Sequence, residues 1–320
     1  MLAHPKPRKT MLEPRLQYVT CAVAGNTELG RRDATHRMAY WEWNRTGNPH
    51  HPHVTVCVHG LTRQSRDFDV LAYHLAEHGR VICPDVVGRG YSDWLDDASS
   101  YQVPLYVADM LALLHQVHQQ APIAALDWVG TSMGGLIGMG LAGELSIQSM
   151  LPAPVRRLVL NDVGPTLEAS ALQRIAQYVG KDMVYANEQV AVDALRQLSA
   201  GFGPHTADAW LALSRPMLRP EGGGQVRLHY DPAIGVPMRG MTAEMAAAGE
   251  QLLWRLYDQI TAQTLVLRGG NSDLLSVQTA QSMTERGPKA RLVEFAGVGH
   301  APTLVSPDQV AAVLDFVCGT

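Results

Sequence analysis

Cysteine is scarce. Cys21, Cys57, Cys83 and Cys318 are all that 320 residues contain, and none stands at C-x-x-C spacing or beside a histidine cluster. A disulfide framework and a zinc ribbon therefore have no footing, and the four read as free thiols in a reducing compartment. An excess of either charge is equally lacking: 26 Lys plus Arg against 30 Asp plus Glu leave a net −4, so no basic face is on offer to nucleic acid. No run approaches the roughly 18 uninterrupted apolar residues of a spanning helix, and no apolar segment follows the basic start MLAHPKPRKTMLEPRL to make a leader. The expectation is a cytoplasmic protein without membrane partners. No internal repeat occurs, and low complexity is confined to residues 1–15, which are expected to be disordered.

What is present is 46% apolar residues, enough for a large core without a structural metal. From about residue 36 short β-branched runs alternate with helical periods, the pattern of a mostly parallel, doubly wound α/β sheet of about eight strands. The strand candidates are His36 to Trp43, Val54 to Val58, Val81 to Pro84, Ala124 to Val129, Arg157 to Asn161, Thr264 to Arg268 and Arg291 to Phe295. Phe68, Leu71 and Leu75 recur at helical spacing, as do Val103, Tyr106, Met110, Leu113 and Val117, and Val310, Val313, Leu314 and Val317. Ser306 and Pro307 suit the N-cap and first position of that last helix. After Gly164 the alternation stops. Residues 164–261 show helical patterns and no convincing buried strand, with Glu221 to Gly224 as a flexible connection, so they are expected to form an inserted helical lid between core segments 1–163 and 262–320.

The strand ending at Val129 runs into Gly130-Thr131-Ser132-Met133-Gly134 before a helical pattern. G-x-S-x-G in that context is a nucleophile elbow: the turn is so tight that a Cβ two residues either side of Ser132 would collide, and the hydroxyl is pushed into the open. A serine hydroxyl is a weak nucleophile near neutral pH, so an imidazole must take its proton and a carboxylate must orient that imidazole. His300, between glycines after the last strand and before the last helix, is the expected base. Asp273, in the loop after the strand ending at Arg268, is the expected acid; Asp162, after the strand ending at Asn161, is the alternative. The oxyanion needs two N–H donors, expected from Met133, next after the nucleophile, and from Leu61, where Gly60 lets the chain turn after Val58. His59 then organises that loop, and Asp85 and Arg89 fix the turn after their own strand.

His59-Gly60-Leu61, the segment Asp85 to Ser92, the elbow, the loop at Asp273 and Gly299-His300 together resemble the α/β-hydrolase superfamily, in its lid-bearing esterase, lactonase and C–C-bond hydrolase branch. The resemblance runs from about residue 36 to the end. It implies the α/β-hydrolase fold, with nucleophile, acid, base and oxyanion donors at Ser132, Asp273, His300, Leu61 and Met133. Serine at the elbow argues against the family's epoxide-opening and halide-displacing members, which use aspartate there.

Substrate recognition is less legible. Arg63 and Arg66, just past Leu61, could clamp a substrate carboxylate; Trp94 could wall the acyl pocket, and His229 and Tyr230 could join it from the lid. The tract His50, His51, His53 lies among prolines before a strand and reads as a solvated loop; neither a metal nor a cofactor is expected. The leading expectation is a serine hydrolase that cleaves small or medium carboxylesters or lactones through an acyl-enzyme, with a small-molecule acyl substrate as its partner and homo-oligomerisation left open. C–C cleavage of a vinylogous diketone and cofactor-free perhydrolysis use the same machinery, and a ligand-binding receptor is the reading from another class.

Overall fold

The computed structural model describes residues 13–22 and 35–319, so residues 1–12 of the stretch expected to be disordered lie outside the described residues. Arg15, counted in that stretch, already belongs to a strand.

Runs such as Val54 to Val58 and Thr264 to Gly269 are buried at every position, because a parallel strand between two helical layers has no solvent face. In chain order the elements are β1 (Arg15–Ala22), β2 (Thr35–Asn44), β3 (His53–Val58), α1 (Asp69–Leu75), β4 (Arg80–Pro84), α2 (Val103–Gln120), β5 (Ala125–Thr131), α3 (Met133–Gly143), the single turn α4 (Leu145–Gln148) and β6 (Val155–Asn161). The chain then leaves the sheet for α5 (Ala169–Ala176), β7 (Val184–Tyr185), α6 (Glu188–Leu198), α7 (Ala207–Ser214), β8 (Leu218–Gly222), β9 (Gln225–Leu228), α8 (Val236–Arg239) and α9 (Ala243–Gln259). It returns as β10 (Gln263–Gly269), α10 (Val277–Glu285), β11 (Arg291–Phe295) and α11 (Pro307–Cys318).

Eight strands form the main sheet in the order β1-β2-β4-β3-β5-β6-β10-β11. The pairs β1·β2 and β2·β4 are antiparallel and the rest parallel. Helices α1 and α11 cover one face through Leu71, Leu75, Val310, Val313 and Val317; α2, α3 and α10 cover the other through Met110, Leu113, Ile137 and Met283. Cys21, Cys57 and Cys83 are buried and unpaired. Ser306 does hold the N-cap position of α11, but its hydroxyl makes no cap bond; Gln309 reaches back to accept from the Leu304 N–H instead, at 2.8 Å.

The register sets the site. Val58 lies opposite Gly130, Thr131 opposite Asn161, Asn161 opposite Leu267, and Gly269 opposite Phe295. The residues that follow each strand therefore line up along one carboxyl edge, where such sheets hold ligands.

The segment between β6 and β10 is not wholly helical, contrary to the sequence expectation. β7, β9 and β8 form a small antiparallel sheet, and Gly222, Gly223 and Gly224, expected to be a flexible connection, make its hairpin turn with φ of +104°, +57° and +82°. These strands are short and, apart from Leu228, exposed or half-buried, so they lack the apolar run that marks a core strand.

Candidate active site

Ser132 sits between β5 and α3 with φ +52° and ψ −116°, a strained position for a residue with a side chain. A Cβ on Gly130 would lie 2.3 Å from the Gly134 carbonyl carbon, and one on Gly134 would lie 2.0 Å from the Val58 carbonyl oxygen. Both glycines are thus required by close approach. The Ser132 N–H donates to the Asn161 carbonyl (3.0 Å), which ties the elbow to β6.

His300 Nε2 lies 3.0 Å from Ser132 Oγ, and its Nδ1 lies 2.8 Å from Asp162 Oδ2. The carboxylate at the histidine is therefore Asp162 and not Asp273. Asp162 follows β6 without a spacer and is fully buried; it accepts from the Gly269 N–H (2.8 Å) through Oδ1 and from the Ser272 hydroxyl (2.6 Å) through Oδ2. Those two bonds fold the loop after β10 onto Asp162. Asp273, one residue beyond Ser272, faces the segment between β6 and β10, where Arg174 holds it by two bonds of 2.6 and 2.9 Å. Burial works against the Asp273 charge, but the Arg174 bonds outweigh it and hold the carboxyl below the usual range.

Two further residues steady this arrangement and carry no sequence motif. Asn161 Nδ2 donates to Thr131 Oγ1 (2.9 Å) and to the Pro302 carbonyl (2.8 Å), so one amide spans the elbow and the loop of His300. Serine in a loop is common, so the one signal Ser272 carries is its position, three residues after the last residue of β10.

Of the two expected oxyanion donors, Met133 directly follows Ser132 and Leu61 directly follows Gly60. Met133 opens α3, so its N–H has no partner in the preceding turn, and a Cβ on Gly60 would come 3.6 Å from Ser132 Cβ, which puts the Leu61 loop against the nucleophile. His59 is buried, with Nδ1 2.7 Å from the Gly60 carbonyl and Nε2 2.9 Å from the Val86 N–H. Nδ1 must then be the donor and Nε2 the acceptor. Burial pushes this imidazole down to about 3, so it stays neutral while it pins the loop. Buried Arg89 donates to the Leu61 carbonyl (2.8 Å) from the other side, and Asp85 accepts from the Ser65 and Tyr91 N–H groups.

Ser132 and His300 open on a cavity of about 120 Å³ between the sheet edge and the inserted segment. Apolar side chains from that segment, among them Ile175, Val179, Leu195, Phe202 and Met217, form much of its wall. Of the expected recognition residues, Arg63 and Tyr230 line it, but Arg63 is bound to Asp67 (2.7 Å) and to the Leu213 carbonyl (2.9 Å). Arg66, Trp94 and His229 are not in the wall. Arg66 pairs with Asp69, Trp94 is half exposed under the Arg219 guanidinium, and His229 packs edge-on against Tyr91. The cation that sequence reading missed is Arg174, which faces the cavity from the end of α5.

Among the described residues, one donor set could hold a metal. Cys21, His36 and Asp109, buried between β1, β2 and α2, have donor atoms within 4.8 Å of one another and lie outside the cavity wall. The tract His50, His51, His53 does not gather: His53 turns to Asp127 at 2.5 Å.

The profile of a family described as alpha/beta hydrolases matches residues 55–313. Along 96% of its length the chain is 46% identical to a 3-hydroxybutyrate-oligomer hydrolase of Cupriavidus necator, 98% of which is covered. It is 25% identical to a 2-(acetamidomethylene)succinate hydrolase of Mesorhizobium japonicum, covering 82% of this chain and 87% of that one. Among solved structures, an alpha/beta hydrolase from Novosphingobium aromaticivorans superposes with a TM-score of 0.79 at 33% identity, over 97% of this chain and all of that one.

Proposed function

The chain belongs to the alpha/beta hydrolase family, and on that premise we propose that it is a serine esterase of short hydroxyacyl esters, 3-hydroxybutyrate oligomers foremost. Ser132 Oγ attacks the ester carbonyl as His300 Nε2 takes its proton. The developing oxyanion is held by the Leu61 and Met133 N–H groups, and Asp162 keeps the imidazole in the required tautomer and balances its charge. Collapse expels the alcohol, which takes the proton back from His300. A water then gives its proton to His300 and attacks the acyl group on Ser132, releasing the acid and restoring the serine.

The observation that carries this reading is the unbroken chain Asp162–His300–Ser132, 2.8 and 3.0 Å, ending at a cavity of about 120 Å³. Sites for drug-sized ligands run from about 300 Å³, so this one suits a short acyl unit. The relative in Cupriavidus necator supplies the substrate class.

The test is a pre-steady-state burst of one equivalent with p-nitrophenyl butyrate, together with turnover of linear 3-hydroxybutyrate dimers and trimers. Ser132→Ala should lower kcat at least about 10,000-fold. A Ser132→Ala protein that kept its rate, or a wild-type enzyme indifferent to all these esters, would refute the reading.

A further inference from the structure

We propose that Arg174, steadied by Asp273 and flanked by Tyr178, is a carboxylate subsite, so that the substrates are anionic hydroxyacyl esters held by their free acid end. This deepens the reading above and rests on it.

The wall of the cavity carries three charged side chains among the described residues besides its histidines: Arg63, Asp67 and Arg174. Arg63 and Asp67 neutralise each other, and the Arg63 guanidinium is closed in by the Leu213 carbonyl, leaving its side chain 13% exposed. Asp273, the counter-ion of Arg174, is not part of the wall. The charge that the wall itself presents to a substrate is therefore Arg174, whose side chain is 42% exposed and whose counter-ion stands outside the wall. Asp273 engages only Nε and Nη2. A guanidinium has five N–H donors in a fixed fork, so others remain for a second carboxylate while Asp273 holds the plane still.

Tyr178 stands four residues on, past the end of α5, close enough to share the Arg174 guanidinium's field, and it lines the same cavity. Its hydroxyl is a second donor; burial pushes its pKa up, which keeps the proton on oxygen. Asp273 is near enough to His300 for their charges to interact, so the subsite adjoins the proton-transfer machinery. A linear hydroxyacyl dimer carries its carboxylate a few bonds beyond the ester oxygen, so one molecule would present its ester to Ser132 and its acid end to Arg174, which line the same cavity. Arg63, the clamp expected from sequence, is replaced in that role by a cation from the inserted segment.

The experiment separates binding from turnover. The full-length Ser132→Ala protein is titrated calorimetrically with the linear 3-hydroxybutyrate dimer and with its methyl ester, which differ by one charge. The free acid should bind roughly tenfold tighter or more, the preference expected of a charge-assisted pair in a sheltered cavity. Adding Arg174→Met with Asp273→Asn, so that no unpaired carboxylate is left beside His300, should bring the ratio close to one. In the Ser132 enzyme the same pair of substitutions should raise KM for the free acid far more than it lowers kcat. Equal affinity for the two ligands, no binding of either at millimolar concentration, or a preference that survives the loss of Arg174 would overturn the subsite. Failure of the esterase reading shows up separately, as absence of turnover by the Ser132 enzyme, whereas the binding ratio is read without turnover.

Discussion

At the scale of single residues the assignment of the acid is the sharpest question, because two aspartates flank the same loop with opposite surroundings. Asp162 is buried against His300 and receives two donors; Asp273 is half exposed and committed to Arg174. Asp162→Asn should therefore lower kcat about 10,000-fold, since an amide in that place favours the wrong imidazole tautomer. Asp273→Asn should cost far less, within about tenfold, because what it loses is a partly exposed ion pair. Steady-state kinetics on p-nitrophenyl butyrate decide between them, and a larger loss from Asp273→Asn would reverse the assignment. The sequence does contain a clue to the acid. Asp162 follows its strand directly, whereas Asp273 is four residues past Gly269, and four residues are enough for a loop to turn a side chain outward. Ser132, His300 and the Leu61 loop were legible because close approach and proton transfer restrict which residues can stand there. Arg174 and Asn161 were not, because an arginine on an amphipathic helix and an asparagine at a strand end have many innocent readings.

Elements show the same contrast between positions that tolerate nothing and positions that tolerate much. The elbow forces α3 against β3, so that a methyl at Gly134 would sit 2.0 Å from the last carbonyl oxygen of that strand. Neither backbone can yield without moving Ser132. Gly134→Ala should cost about 2 kcal/mol or more, which in a chain of this size is a fall in Tm of roughly 4 °C or more by scanning calorimetry. Gly249 is the counter-case: it lies inside α9 with no neighbouring atom within 4 Å of a new methyl. Gly249→Ala should raise stability by up to about 1 kcal/mol, because alanine loses less chain entropy in a helix and shields its backbone. If the two substitutions moved Tm alike, close approach would not be what demands glycine at the elbow. Element type followed the same logic in the sequence. Strands buried on both faces announced themselves, while β1, with its exposed and buried positions mixed at the sheet edge, and the two- to five-residue strands of the inserted segment did not.

For the whole molecule, the amino edge of the sheet is fastened by charge just as its carboxyl edge is organised for chemistry. Asp127, fully buried on β5, accepts from Arg156 at 3.0 and 2.5 Å and meets His53 Nε2 at 2.5 Å; Arg156 and Arg157 in turn donate to the Val317 carbonyl at 3.3 and 2.6 Å. One carboxylate thereby joins β3, β5 and β6 to the end of α11. Burial alone would raise the Asp127 pKa, but the bonds from His53 and Arg156 outweigh it and hold it below the ordinary value. A carboxylate depressed in the folded state contributes stability that is complete above its unfolded pKa and is lost as pH falls through the folded one. Asp127→Asn should therefore destabilise the protein by about 2–3 kcal/mol near pH 7. The gap from wild type should stay level down to about pH 5 and close below about pH 4, where an unfolded aspartate takes up its proton. Urea unfolding of both proteins from pH 7 to pH 3 measures that gap. A difference as wide at pH 3 as at pH 7 would mean that shape, and not charge, is what Asp127 contributes, and a gap that opened on acidification would give the shift the opposite sign.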